Sequence, residues 1–380
     1  MGGSAAQREV IFLTGYPGFL GRRVVRRLAA ALPAGARLVL LAEPSQLEQA
    51  RRLSAALPVR PELLEGDVSR MHLGLSGPEF KRLAAEVTAI WHLAAVKDVS
   101  AARDTLRRVN VEGTRNVLDL ARSAPRLRRL HHFSSAWVSG DREGVILEDE
   151  LECGQRFHDA YEETKYRAEV LVRRAMADGL PATVYRPAIV VGDSRTGEID
   201  RFEGPYTLAI LLLASPLPLP LPLPHDGAAP LNVVPVDFAV DAAVAISRAP
   251  AAIGRTVHLV DPAPLSARRV YELVAAREHR RIPQVSFPHR AVEVLLRLPV
   301  VERLTRAQRS AIEAVNHVAL YNCRNTLELL EGTDIRCPPL TSYVDRLADF
   351  VKDQYARKKA ARAQQAEDPL DDPAPPPPGT

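Results

Sequence analysis

The first half of the chain alternates continuous apolar runs with segments whose apolar residues recur every three or four positions. Runs such as EVIFLT, ARLVLLA and VTAIWHLAA predict buried strands, and segments such as FLGRRVVRRLAAAL and AYEETKYRAEVLVRRAMADG predict amphipathic helices. Strands that are apolar throughout and alternate with helices are typical of a parallel sheet covered on both faces. The pattern therefore predicts an α/β fold with a doubly wound parallel sheet.

The alternation loosens after Gly192, and this change sets the predicted domain boundaries. We expect a sheet domain over residues 8–192 and a smaller, mixed C-terminal lobe over residues 193–364, interleaved with the last sheet strands in 232–262. The final helix is expected to begin near Ser342. The Pro-rich acidic tail, 365–380, is predicted to be disordered.

The most apolar stretch, YTLAILLLASPLPLPLPLP at 206–224, lies in the predicted lobe. Its alternating prolines remove helical N–H donors, so it cannot form a membrane-spanning helix. We expect a short buried helix followed by an extended polyproline-like segment that gives the lobe a rigid apolar wall. A contact with a membrane surface stays open.

Charge and cysteine content limit which partners, metal sites and cellular locations we expect. The chain has 50 basic and 46 acidic residues, a net charge of +4, which argues against a nucleic-acid partner. The three cysteines are far apart and show no ligand spacing, so we expect no metal site and a reducing, cytoplasmic location. The N-terminal residues MGGSAAQREV carry no apolar segment of a secretory signal.

The octapeptide TGYPGFLG follows the first predicted strand and opens the first helix. Glycines at this spacing allow a tight turn, a close approach of backbone to phosphate and close packing of the helix, and the helix N-terminus attracts a pyrophosphate. The alternative is a tight turn that binds no ligand. The Rossmann-type context favours a dinucleotide, and the residues expected to contact it are Thr14, Gly15, Pro17, Gly18, Phe19, Leu20 and Gly21.

Other strand ends complete the predicted cofactor site. Asp67 and Val68 end the third strand, where Asp67 could bind the adenine amino group or cap a helix. Small residues suit a backbone that borders a nucleotide, and HLAA places Leu93, Ala94 and Ala95 after the fourth strand.

Tyr161 and Lys165 stand four residues apart in YEETK, which places them on one face of a helix. A nearby ammonium lowers the pKa of a tyrosine from its usual value of about 10, so the pair can form a tuned acid, although such a pair also occurs on ordinary surfaces. Ser135 in FSSAW could donate a hydrogen bond to a substrate carbonyl, or cap backbone groups. Asn110 could kink its helix and hold a water for proton relay, or cap locally.

These motifs occur together in an order and spacing that resemble the extended short-chain dehydrogenase/reductase superfamily, over about residues 8–262. The resemblance implies that Ser135 binds a carbonyl, that Tyr161 donates a proton, and that Lys165 assists Tyr161 and holds the ribose. It also implies that Asn110 completes a catalytic tetrad. Pro187, in YRP, would border the nicotinamide.

A narrower resemblance concerns GDVSRMHLGLSGPEFKRLAAEVTAIWHLAA, RPAIVVGDSRTGEID and NVVPVDF. These segments are similar to fatty acyl-CoA reductases and to the thioester reductase domains of carboxylic acid reductases. The resemblance implies NAD(P)H-dependent reduction of an acyl thioester, bound to CoA or a carrier protein, to an aldehyde or on to an alcohol.

The sequence leaves an alternative open for the identity of the cofactor and another for the reaction. The resemblance favours NADPH, whereas Glu43 at the end of the second strand favours the free 2′-hydroxyl of NADH, unless Arg22, Arg23 or Arg52 compensates. A ketoreductase or hydroxysteroid-type dehydrogenase would share the tetrad, and a non-catalytic dinucleotide-sensing module would share the fold. The sequence leaves the oligomeric state open.

Overall fold

The structure is a computed structural model that describes residues 8–97, 101–199, 227–277 and 318–366. Its strands are β1 (Val10–Thr14), β2 (Arg37–Ala42), β3 (Glu62–Glu65), β4 (Ala89–His92), β5 (Arg129–Phe133), β6 (Gly144–Ile146), β7 (Ala182–Pro187), β8 (Ile189–Val191), β9 (Val233–Pro235), β10 (Thr256–Leu259) and β11 (Ala319–Tyr321). Its α-helices are α1 (Phe19–Ala30), α2 (Leu47–Ser54), α3 (Gly77–Glu86), α4 (Arg103–Leu106), α5 (Gly113–Arg122), α6 (Ala160–Ala177), α7 (Val236–Ile246), α8 (Ala267–Arg277), α9 (Arg324–Leu329) and α10 (Val344–Ala366).

The main sheet of the described residues has seven parallel strands in the order β3-β2-β1-β4-β5-β7-β10. The chain winds outwards from β1 to β3 and then crosses to β4, so the strand order reverses between β1 and β4. A ligand crevice forms at the carboxyl ends of the strands at such a reversal. The predicted doubly wound Rossmann-type fold is confirmed.

Both faces of the sheet are covered because successive strand residues point to opposite sides. Ile11 and Leu13 pack in one apolar cluster, with residues of α1 and α7, while Val10 and Phe12 pack in a second cluster, with residues of α3 and α5. All four side chains are buried. Burial on both faces explains why the strands read as continuous apolar runs.

The termini of the helices follow local chemistry. Ser76 and Glu79 form a reciprocal capping box at the start of α3. The Asp159 carboxylate accepts a hydrogen bond from the Glu162 backbone nitrogen at 2.8 Å and so begins α6, the helix that carries the predicted tyrosine and lysine. Gly179 follows α6 with a φ of +95°.

Several predicted elements differ from the structure in extent. The segment LRRLHHFSSAWVSG predicts a strand over 127–140, but β5 ends at Phe133, because Ser135 caps a 3-10 turn over Ala136–Ser139. The segment AARDTLRRVNVEGTRNVLDLARS predicts one helix over 101–123, but a π-helical turn at Arg107–Glu112 lies there between α4 and α5.

The C-terminal half also differs in detail. Of the strands predicted in 232–262 as sheet strands, β10 joins the main sheet, while β9 pairs with β8 in a separate two-stranded sheet. The final helix continues to Ala366, into the tail expected to be disordered. The Leu–Pro run at 206–224 and the rest of the tail lie outside the described residues.

Candidate active site

The turn between β1 and α1 requires glycine at two positions. Gly15 has a φ of +90°, which L side chains rarely adopt, and a Cβ there would lie 2.6 Å from the Ala94 backbone nitrogen. A Cβ on Gly21 would overlap the carbonyl oxygen of Gly15. The turn therefore packs tightly against the end of β4, and α1 packs tightly on the turn.

The geometry of this turn fits a dinucleotide pyrophosphate. Gly18 is exposed and directly precedes α1, whose first N–H groups have no partner within the helix. These donors and the partial positive charge of the helix N-terminus suit an anion that approaches the Gly18 backbone. Pro17 is buried under the turn, and Phe19 and Leu20 are half-buried at the start of α1.

Thr14 joins this turn to the end of β4. Its hydroxyl accepts a hydrogen bond from the Ala94 backbone nitrogen at 3.3 Å, and its carbonyl oxygen accepts one from the Leu93 nitrogen at 3.2 Å. Leu93, Ala94 and Ala95 are half-buried at the point where the strand order reverses. Their backbone can therefore border a nucleotide bound on the turn.

The ends of β2 and β3 carry the two predicted acidic residues. Asp67 accepts a hydrogen bond from the Ser69 backbone nitrogen at 2.8 Å, which forms a local turn and not the helix cap expected as the alternative to adenine binding. Val68 is buried, and its carbonyl oxygen accepts a hydrogen bond from Asn116 at 2.7 Å. Glu43 directly follows β2, and partial desolvation and the Asp67 carboxylate raise its pKa.

The predicted catalytic residues meet at the carboxyl end of β5. Ser135 follows this strand, accepts a hydrogen bond from the Trp137 backbone nitrogen at 3.2 Å and lies close enough to the Tyr161 phenol to affect its pKa. Lys165 lies one turn beyond Tyr161 on α6, and its Nζ donates to the Phe133 carbonyl oxygen at 2.6 Å. Pro187 is buried at the end of β7, the strand next to β5.

The acid–base character of this group differs from the expectation. Burial raises the pKa of Tyr161 to about 12, although a hydrogen bond with Ser135 lowers it in part. Burial also lowers the pKa of Lys165 to about 8. The prediction that Lys165 depresses the pKa of Tyr161 is therefore wrong for this structure, because desolvation dominates and the Lys165 ammonium contacts the Phe133 carbonyl. The phenol is a proton donor that stays protonated at neutral pH.

Asn110 lies in the π-helical turn, as its predicted disturbance of the helix requires. Its Oδ1 accepts from the Val96 backbone nitrogen at 2.8 Å, and its Nδ2 donates to the Val96 carbonyl oxygen and to Thr164 Oγ1, each at 3.0 Å. The side chain therefore fixes the segment after β4 to α6. In this structure Asn110 is a positioning residue.

A buried hydrogen-bond chain, which sequence reasoning missed, connects the glycine-rich turn to the catalytic helix. The Thr114 hydroxyl donates to the Asn110 carbonyl oxygen at 2.7 Å, so it accepts from His92 Nε2, 3.0 Å away. His92 Nδ1 then accepts from the Thr14 hydroxyl at 2.8 Å. Burial lowers the pKa of His92 to about 3, so the neutral ring keeps this tautomer. Within HLAA, the histidine makes these hydrogen bonds, and not the alanines that were expected to border the nucleotide.

A buried ion pair, also missed, holds α6 against the sheet. Arg186 on β7 donates to Glu169 on α6 at 2.7 Å, and neither side chain is more than 1% exposed. The other Glu169 oxygen accepts from the Ser134 hydroxyl at 2.6 Å, directly before Ser135. Glu169 lies four residues after Lys165, a spacing that could have identified it as a member of the same helix face.

Comparison with known proteins identifies the family. The model of the male sterility protein family, an NAD-binding family, matches residues 13–243, which is more than half of the chain. The chain belongs to this family. The extended short-chain dehydrogenase/reductase recognised from the motifs is confirmed, and the cofactor is a nicotinamide dinucleotide.

Several relatives of this male sterility family member are much longer synthetases. A linear gramicidin synthase of Brevibacillus parabrevis is 27% identical over 96% of this chain, which covers 7% of that protein. Fatty acyl-CoA reductase wat of Drosophila melanogaster is 26% identical over 62% of this chain and 53% of that protein. The chain spans between 7% and 26% of the length of the first three curated relatives.

A solved structure extends the similarity to the whole fold. The terminal R domain of the myxalamid PKS-NRPS biosynthetic pathway has a TM-score of 0.76 and 28% identity, with 92% of each chain covered. A UDP-glucuronic acid 4-epimerase from Bacillus cereus shares the fold, with a TM-score of 0.64 and 16% identity.

Two features are absent from the described residues. None of their helices combines the length and the apolarity needed to cross a membrane. No group of three or more histidine, cysteine, aspartate or glutamate residues within these ranges could hold a metal ion.

Proposed function

We propose that the protein uses a nicotinamide dinucleotide to reduce acyl thioesters, carried on CoA or a carrier protein, to aldehydes and on to alcohols. One observation carries this proposal: the hydroxyls of Ser135 and Tyr161 lie beside each other at the carboxyl end of β5, close to the glycine-rich turn in the order of strands. The R domain and the fatty acyl-CoA reductase among its relatives support the thioester as substrate.

The residues that would hold the cofactor fit it. The turn of Gly15 and Gly18 and the N-terminus of α1 would bind the pyrophosphate, and the backbone of Leu93–Ala95 would border the nucleotide. When bound, the dinucleotide supplies the hydride. Pro187 would border the nicotinamide beside β5.

Ser135 and Tyr161 would act on the substrate oxygen. Two hydroxyl donors aimed at one carbonyl oxygen stabilise the negative charge that develops there as the carbon becomes tetrahedral. Because its pKa is about 12, Tyr161 retains its proton at neutral pH and can donate it when an aldehyde is reduced to an alcohol. Lys165 is held on the Phe133 carbonyl, and we propose that it holds the ribose of the cofactor, as the sequence resemblance implies.

The cofactor specificity follows from the charge at the end of β2. The Glu43 carboxylate, with the Asp67 carboxylate near it, repels a 2′-phosphate and accepts a hydrogen bond from a free 2′-hydroxyl. Arg22 and Arg23 both contact Glu198, at 3.2 and 3.4 Å, which offsets their charge. We therefore propose NADH, although the sequence resemblance alone favours NADPH.

A test of the function compares substrates that differ only at the reacting group. Purified protein is mixed with NADH or NADPH and with octanoyl-CoA, octanal or 2-octanone, and cofactor oxidation and products are measured. Oxidation with octanoyl-CoA, with octanal or octanol as product, supports the proposal. Oxidation with the ketone alone supports a ketoreductase, and dinucleotide binding without oxidation supports a sensing module.

A further inference from the structure

The buried hydrogen-bond chain that starts at the glycine-rich turn does not end at Asn110. Asn110 Nδ2 donates to Thr164 Oγ1 at 3.0 Å, and the Thr164 hydroxyl donates to the Tyr161 carbonyl oxygen, also at 3.0 Å. Thr164 directly precedes Lys165 on α6. At the other end, Thr14 is the last residue of β1 and leads into the glycine-rich turn. The chain therefore joins the turn that would bind the pyrophosphate to the segment that carries Tyr161 and Lys165.

The hydrogen bonds of this chain have one arrangement. A hydroxyl group has a single proton, so Thr114, which donates to the Asn110 carbonyl oxygen, can only accept from His92. Thr164 likewise donates to a carbonyl oxygen and can only accept from the Asn110 amide. Reversal of one link would leave a neighbouring donor or acceptor without a partner.

The members of the chain are shielded from water. None of them is more than 3% exposed: Thr14, His92, Asn110, Thr114 and Thr164. Water cannot replace a hydrogen bond that is lost in such a place, and the group that is left unpaired destabilises the arrangement. Breaking one link should therefore let the elements at its two ends move relative to each other.

Hydride transfer is sensitive to such a movement. The reacting atoms must approach to about 3–3.5 Å, and a misplacement of about 1 Å can lower the rate about 100-fold. The turn and Lys165 would hold two parts of the cofactor, while Tyr161 would meet the substrate oxygen. A fixed distance between the turn and α6 would therefore bring the cofactor and the phenol to the same carbonyl group.

We propose that the threonines and the histidine of this chain are positioning residues, which fix the distance between the glycine-rich turn and α6: Thr14, His92, Thr114 and Thr164. This inference rests on the proposed function. The role of these residues is to hold the cofactor site and the Tyr161 phenol at a fixed distance, and not to donate or accept the proton of the reaction.

A double-mutant cycle across the two ends of the chain tests this inference. Thr14→Val and Thr164→Val each remove one hydroxyl and keep the shape of the side chain. NADH oxidation by octanoyl-CoA is followed in a single turnover. Each variant should lower the rate about tenfold, and the double variant should also lower it about tenfold, because one break already uncouples the two ends. Two independent defects would instead multiply to about 100-fold.

Matched controls separate a positioning role from a purely structural one. Thr183 is fully buried outside the chain, and its hydroxyl donates to the Ala252 carbonyl oxygen at 2.7 Å, so Thr183→Val should lower stability and keep the wild-type rate. Thr14→Ser and Thr164→Ser retain the hydroxyl and should keep most of the rate. Urea unfolding establishes that each variant is folded, and Thr114→Val replaces an end variant that is not.

Cofactor binding separates this inference from the proposed function. If no thioester is reduced, the proposed function fails, and the cycle is then read in the dissociation constant for NADH, because both ends of the chain adjoin the proposed cofactor site. In either readout, valine variants that match the wild type would overturn the inference, as would a double variant whose loss is the product of the two single losses. A loss in the serine variants as large as that in the valine variants would overturn it as well.

Discussion

At the scale of single residues, the proposed preference for NADH rests on the two carboxylates near the end of β2. Glu43→Arg replaces the carboxylate that repels a 2′-phosphate with a guanidinium that binds one. We expect the ratio of kcat/KM for NADPH to that for NADH to rise at least tenfold, because the KM for NADPH falls. Steady-state kinetics with both cofactors measure this ratio, and an unchanged ratio would show that Glu43 does not contact the ribose.

A comparison of Gly15 with Gly179 separates the effect of a positive φ on stability from the effect of close packing. Gly15→Ala introduces a Cβ at a φ of +90° and 2.6 Å from the Ala94 nitrogen, whereas Gly179→Ala introduces one at a φ of +95° with nothing within 4 Å. The control should lose about 1 kcal/mol of stability. Gly15→Ala should lose more, and its affinity for the dinucleotide should fall at least tenfold, because the turn must shift.

Urea unfolding measures the stability of Gly15→Ala and Gly179→Ala, and NADH titration measures their affinity for the dinucleotide. Equal losses in Gly15→Ala and Gly179→Ala, with cofactor binding retained in both, would contradict the close packing of the turn on β4.

At the scale of an element, the ion pairs of α6 differ in burial. Glu169 is fully buried with Arg186, whereas Glu163, 17% exposed, pairs with the exposed guanidinium groups of Arg167 and Arg103. Glu169→Gln leaves Arg186 with an uncompensated charge, which costs about 3–5 kcal/mol. Glu163→Gln on the same helix should cost at most about 1 kcal/mol. Chemical unfolding of both variants measures the difference, and similar small losses would show that the buried pair does not hold α6 on the sheet.

The elements that the sequence predicts well are those whose signal is local. Burial on both faces makes β1, β2 and β4 continuous apolar runs, and periodic apolar residues mark α1 and α6. A disturbance of the helix at Asn110 was expected, whereas the contacts of Asn110 with Val96 and Thr164 could not be predicted, because these residues are distant in sequence. The contact of Ser134 with Glu169 could not be predicted for the same reason.

At the scale of the whole molecule, four histidines of the described ranges are almost fully buried: His92, His131, His132 and His258. Burial lowers the pKa of each, that of His92 and of His258 to about 3. The unfolded chain binds protons below about pH 6.5 while the folded protein does not. Stability is therefore fully present above about pH 6.5 and is lost as the pH falls towards 3.

His132 and its neighbour His131 allow a matched test of this pH dependence. Among the described residues His132 has no partner for either ring nitrogen, whereas His131 Nδ1 lies 3.0 Å from the Tyr185 hydroxyl. His132→Leu should raise the free energy of unfolding at pH 7 by about 1 kcal/mol, and His131→Leu should lower it by about 1–3 kcal/mol.

Both histidine variants should reduce the slope of stability below pH 6.5 by up to about 1.4 kcal/mol per pH unit. Urea unfolding from pH 4 to pH 8 measures it. A slope that stays at the wild-type value in His132→Leu would show that this ring is not kept neutral by burial.

The position of the site could be predicted from the sequence, whereas the acid–base chemistry of its residues could not. Motif spacing and the order of strands were sufficient to expect Ser135, Tyr161 and the glycine-rich turn at one sheet edge, because parallel strands end at the same edge. The direction of the Tyr161 pKa could not be predicted, because it depends on desolvation by surrounding elements.

The central claim is that the Tyr161 phenol and the Ser135 hydroxyl together bind the oxygen of an acyl group at the edge of the sheet. Tyr161→Phe removes one hydroxyl and keeps the ring, so it tests this claim most directly when NADH oxidation by octanoyl-CoA is followed in a single turnover. The account predicts a rate at least 100-fold below wild type with NADH affinity unchanged. A rate within threefold of wild type would contradict it.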